Sequence, residues 1–156
     1  MMEAIFQILM AFGGTVAFSV LFGAAARHYV KCGLVGAAGW SIYLLMRHLT
    51  GSEMVAILAA SAFVTALSRI LSVREKAPTI IFLVTGIFTL VPGAAIFYTA
   101  YNLFQGNQAL VVTYGLSAMK TSVAIALGIG FSYSIPARFY GWKRDPEIWN
   151  EQDHRL

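Results

Sequence analysis

Pro78-Thr-Ile-Ile-Phe-Leu-Val-Thr-Gly-Ile-Phe-Thr-Leu-Val-Pro-Gly-Ala-Ala-Ile-Phe-Tyr-Thr-Ala-Tyr-Asn-Leu-Phe104 decides the fold. This run is apolar over about 27 residues, and a helix needs roughly 20 to cross a bilayer. Near its middle stands Pro92-Gly93. Proline removes a backbone donor and crowds the carbonyl one turn earlier, and glycine lets the chain leave helical geometry, so the helix is expected to break there. In lipid, freed backbone groups need partners, so broken backbone is tolerated only against protein or a water-filled cavity. Tyr98, Thr99, Tyr101, Asn102 and Gln105 follow the break and bring many polar atoms into a spanning segment. Transporters place a broken helix of this kind at the substrate site; a kink used only for packing is the other reading.

Outward from this stretch, composition fixes the class. Of 156 residues, 58% are hydrophobic and 12% charged, which is the signature of an integral membrane protein. The net charge of +4 comes from basic residues flanking apolar segments and gives no reason to expect nucleic acid as a partner. Cys32 is the single cysteine, so no internal disulfide forms, and three scattered histidines give no metal-ligand spacing. No phosphate-binding loop, catalytic triad or paired carboxylate is present, so no enzyme, cofactor or metal is expected. The first apolar run lacks a basic lead-in and reads as a retained span.

The expected fold is an all-α membrane protein with five transmembrane helices, the fourth broken at Pro92-Gly93. One transmembrane domain over 1–140 holds spans at about 4–26, 32–49, 54–71, 78–104 and 109–135, and a short tail, 141–156, follows. The second segment is the short one, roughly 27 Å of helix. Charge settles its status. With five spans, every Lys and Arg except Arg47 and Lys120 falls on one side, which the positive-inside rule makes cytoplasmic. The N-terminus is then outside and the tail inside.

Small and polar residues mark helix faces. Gly33, Gly36 and Gly39 recur in the second segment, and Gly13, Gly14 and Gly23 mark the first. Ser61, Thr65, Ser68 and Ser72 share one face of the third and read as helix contact, their hydroxyls bonded to their own backbone. Thr113, Ser117, Lys120, Thr121, Ala124 and Gly128 mark the fifth. Lys120 is placed near the bilayer centre, where a lysine costs about 2.5–3.5 kcal/mol and meets a cavity or a counter-ion; segment boundaries shifted so that it lies shallower are the other reading. A substrate carboxylate and a partner's acid both fit. The chain's own acids, Glu3, Glu53, Glu75, Asp145, Glu147, Glu151 and Asp153, sit at segment ends or in the tail. A coupling carboxylate would therefore come from another chain or from Glu53 at the outer edge.

Lys76-Ala-Pro78, Phe82 to Gly86-Ile87, Leu90-Val91-Pro92-Gly93-Ala94-Ala95, Tyr98, Tyr101 and Leu103 resemble the threonine/serine exporter family, in its smaller, C-terminal membrane half. The likeness runs over nearly the whole chain. It departs at Thr89, where many relatives carry another proline, and at Lys120. The resemblance implies a bacterial inner-membrane exporter of small polar metabolites such as threonine, serine or, in relatives, dicarboxylates. It also implies a larger membrane subunit of the same family as partner; self-association stays open. The site residues expected from the break and from the polar residues of the spans are Pro92, Gly93, Tyr98, Tyr101, Asn102, Lys120 and Thr121. A membrane scaffold or assembly subunit that only positions its partner is the alternative.

Overall fold

The computed structural model describes residues 2–135, and all regular structure among them is helical. The elements are α1 (Met2–Leu21), α2 (Tyr29–Thr50), α3 (Glu53–Glu75), α4 (Thr79–Ile87), α5 (Gly93–Phe104) and α6 (Gln108–Ser134), with 3-10 turns at Ala26–His28 and Phe88–Leu90. The tail expected over 141–156 lies outside the described residues. α1, α2 with its leading turn, α3 and α6 are each long and apolar enough to cross a membrane. The stretches Thr79–Leu90 and Gly93–Phe104 meet that test together, as a pair bent by 55°. Counting that pair as one span gives five, so the chain is an all-α, multi-pass membrane protein.

The break expected at Pro92-Gly93 is present, and its cause lies on one side of that pair. The residue before a proline is driven out of helical geometry by the proline ring. Val91 obeys, with φ −61° and ψ 134°, and Pro92 follows at φ −76° and ψ 54°. The Gly93 amide reaches back only to Val91 O at 2.8 Å, and regular pairing restarts with Ile96 N to Pro92 O at 3.0 Å. Gly93 contributes little to this geometry. It is not among the residues of positive φ, and a Cβ there would meet nothing within 4 Å. Proline makes the break.

α3 is the centre of the bundle, in contact with α2, α6 and α4, and α4 also packs against α2. α1 packs on α2, and α5 pairs with α6. Membrane helices approach closely where small residues let backbones meet, and the glycines show where. A Cβ on Gly33 would fall 2.6 Å from Phe12 of α1, one on Gly36 would run into Thr15, and one on Gly39 into Val64 of α3. Gly86 likewise seats α4 against Val35 and Val64, at 2.7 and 2.9 Å. Gly13 and Gly14 differ: nothing lies within 4 Å of their Cβ positions, so they do not mediate α1 packing within this chain. The α3 hydroxyl face is buried, with Thr65 donating to Ser61 O and Ser68 to Val64 O, both at 2.7 Å.

Turns close the two ends. α2 stops at Gly51, whose φ of 66° ends the helix with its amide on Arg47 O. Asn107 caps α6 by accepting from the Leu110 amide at 3.4 Å. At the opposite end Lys31 pairs with Glu75, and buried His28 lies 3.8 Å from the same carboxylate. Arg69 also anchors that end, donating to Ser132 O at 2.6 Å and Ile135 O at 3.1 Å. The α2–α3 and α5–α6 turns therefore share one end, with Ala77 at the other. Cysteines at Ser52 and Asn107 are expected to react with an impermeant thiol reagent from one side of the membrane, and a cysteine at Ala77 from the other. Cys32 is fully buried and does not compete. Labelling of Asn107→Cys and Ala77→Cys from the same side would refute the five-span topology.

Candidate functional site

A cavity of about 290 Å³ opens beside the break. One wall is the broken backbone itself, Thr89 through Ala95. Trp40 and Tyr43 come from the second half of α2, Glu53 and Ile57 from the start of α3, and Ser117 and Thr121 from the middle of α6. These positions place the cavity in the half of the bundle that carries the α2–α3 and α5–α6 turns. It is partly open.

The aromatic wall is braced from both sides. Trp40 and Tyr43 lie with ring centroids 4.9 Å apart. Trp40 Nε1 donates to Gln7 Oε1 of α1 at 3.3 Å, and Arg47 donates to the Tyr43 hydroxyl at 2.7 Å. The polar wall is different. Most serines and threonines inside the spans give their proton to a carbonyl of their own helix, as Thr85, Thr99 and Thr113 do at 2.7 to 2.9 Å. Ser117 and Thr121, alone among those lining the cavity besides Thr89, are the ones to compare: Thr89 donates to Gly86 O at 2.9 Å, whereas Ser117 and Thr121 have no hydrogen-bond partner among the described residues. Thr121 is buried as a residue, at 7% exposed, but its hydroxyl is not among the atoms shut off from solvent, so both hydroxyls stand open to the cavity. Such groups suit a polar guest.

Charge completes the arrangement. The first amides of a helix have no partner within it and carry a partial positive charge. α5 begins at Gly93, so the amides of Ala94 and Ala95 belong to its open first turn, and both residues line the cavity. Glu53, exposed at the start of α3, adds a carboxylate to the lining. A positive backbone end and a negative side chain in one cavity complement a ligand carrying both signs of charge.

The family model described as threonine/serine exporter, ThrE, matches residues 7–135, well over half of the chain. The chain belongs to the threonine/serine exporter family. No curated protein and no solved structure matches it. Membership makes this a transporter-type chain, and the matched region takes in every residue lining the cavity.

Within this exporter chain the seven expected site residues divide. Pro92, Gly93 and Thr121 meet in the cavity. Tyr98 and Tyr101 lie further along α5, half exposed, Tyr98 stacked on Tyr114 at 5.3 Å and Tyr101 on Phe97 at 6.3 Å. Asn102 is buried but turned to its own helix, donating to Tyr98 O at 2.8 Å. Lys120 is exposed on α6 and does not line the cavity. Trp40, Tyr43 and Ser117 were not expected there. Their sequence signals were the aromatic run ending the glycine-rich second segment and the hydroxyl one turn before Thr121.

Proposed function

We propose that this chain is the smaller subunit of a two-chain exporter in the bacterial inner membrane, with its N-terminus outside and its C-terminus in the cytoplasm. Its cargo is a small polar amino acid of the threonine or serine kind, and its partner is a larger membrane subunit of the same family. The cavity at the Pro92 break is the substrate site. The observation that carries this reading is a pair of unpartnered hydroxyls, Ser117 and Thr121, lining one cavity with the open first-turn residues of α5.

The α5 amides suit the substrate carboxylate and Glu53 suits its ammonium group, while Ser117 and Thr121 accept or donate to the substrate's own hydroxyl. Glu53 favours an amine-bearing ligand over a dicarboxylate, because a second carboxylate would meet it with like charge. A hydrogen bond to a charged group contributes about 1.5–3 kcal/mol and one between neutral groups about 0.5–1.5 kcal/mol. Threonine export by cells carrying both subunits is therefore expected to fall roughly tenfold or more for Glu53→Gln and several-fold for Thr121→Val. Export unchanged in both variants would remove the cavity from the transport path and favour the scaffold reading.

A further inference from the structure

We infer that the outer face of α6 around Lys120 is the docking surface for a different membrane chain, one that presents an Asp or Glu carboxylate at mid-membrane depth. Lys120 is the thirteenth of the 27 residues of α6, about 18 Å along the helix from its first residue. Its four-carbon stem falls short of either membrane surface. Among the described residues it has no hydrogen-bond or ion-pair partner. It stands roughly 100° around the helix from Thr121 and is exposed, in a row with Leu116, Met119, Val123 and Leu127, each at least half exposed.

Lipid does not satisfy this surface. A lysine at the bilayer centre costs about 2.5–3.5 kcal/mol by insertion scales, and such residues pair with an opposite charge or face water. Ser117 of the cavity lies one turn away, about 60° around the helix, yet Lys120 itself is not among the residues that line the cavity. The charge itself selects the occupant. Among its described residues a second copy of this chain brings no carboxylate to that depth, since Glu3, Glu53 and Glu75 stand at helix ends. A chain of different sequence, with an acid inside one of its own spans and small or apolar residues around it, fits both the ammonium group and the Leu-Met-Val row.

This inference deepens the two-subunit reading and rests on it, and one experiment separates their failures. A photo-crosslinking residue is placed at Val123 on the α6 face, at Leu9 on α1, or at Phe97 on α5, and each full-length chain is irradiated in its native membrane. Adducts are sequenced by mass spectrometry. The expected result is an adduct from position 123 to one membrane chain, at a span containing Asp or Glu. That adduct should fall at least tenfold in Lys120→Met, persist in Lys120→Arg, and return when Lys120→Glu is combined with a lysine at the partner's acid. Lys120→Met chains that remain monodisperse in detergent exclude misfolding as the cause. A partner captured only from positions 9 or 97 would overturn the α6 surface and keep the two-subunit reading. Adducts at 123 to lipid or to a second copy alone would overturn the inference, and no foreign chain from any face would overturn both.

Discussion

Replacing Gly128 with valine is expected to destabilise the bundle by about 1–3 kcal/mol, the usual range for forcing extra carbon into a well-packed interior. Gly128 sits where α6 crosses α3, the most extensive helix contact among the described residues. A Cβ there would lie 2.6 Å from the Leu58 carbonyl oxygen and 3.0 Å from the Ala62 amide nitrogen, and it would also strike the Ser61 hydroxyl. Two of these neighbours are backbone, so no side-chain rotation relieves the clash. α3 and α6 must separate. That separation would also shift Ser117 and Thr121, two to three turns away on α6, relative to Glu53 and Ile57 on α3. Gly130 is the control, because a Cβ there meets nothing within 4 Å. Gly130→Ala should hold or raise stability, as alanine exceeds glycine in a helix by up to about 1 kcal/mol. Unfolding in a detergent titration separates the two variants. Equal stability of Gly128→Val and the parent chain would contradict the close α3–α6 packing.

Much of this was legible in the sequence. Apolar length marked the spanning helices, five with the bent pair counted as one, because lipid forces every backbone group into a helix, which leaves few alternatives. Pro92 marked the break for the same reason. The second segment's glycines marked close approach correctly at Gly33, Gly36 and Gly39, yet the same reasoning attached significance to Gly13 and Gly14, whose Cβ positions are open. A glycine shows that approach is possible; which neighbour uses it depends on the path of other helices. The cavity was legible only in part. Pro92, Gly93 and Thr121 carried local signals, an unusual backbone and a hydroxyl on a spanning helix. Trp40, Tyr43 and Ser117 become site residues only when α2 and α6 are brought to the break; the aromatic run and the hydroxyl before Thr121 mark these residues but do not record that meeting. Asn102 shows the converse: a polar atom in a span, bonded to its own helix.

Pro92→Ala is expected to lower threonine export more than tenfold without lowering stability. The Val91 geometry that starts the break is imposed by the following proline. With alanine there, Val91 is free to turn helical, and α4 and α5 gain the amide donor that proline lacks. A proline in a helix interior costs about 3 kcal/mol relative to alanine, so the local gain favours one continuous helix from Thr79 to Phe104. Straightening the 55° bend removes the open first turn of α5 and with it the wall formed by Thr89 to Ala95. Gly93→Ala, by contrast, should export almost normally, since the backbone at Gly93 is ordinary and the space beside it is empty. Loss of export in Pro92→Ala with stability retained would distinguish a functional break from one that only fits the helix into the bundle.

The most direct test of a substrate site at the break reads occupancy instead of export. Ala95 lines the cavity and is half buried, so a cysteine there is reachable by a small thiol reagent. In an Ala95→Cys chain that still exports, assembled with its partner, saturating threonine should slow labelling of that cysteine several-fold. A cysteine at Asn107, outside the cavity, should label at the same rate with and without threonine. In Pro92→Ala Ala95→Cys the protection should vanish. Labelling of Ala95→Cys that ignores threonine in the exporting protein, or protection that survives Pro92→Ala, would contradict a substrate site at the break.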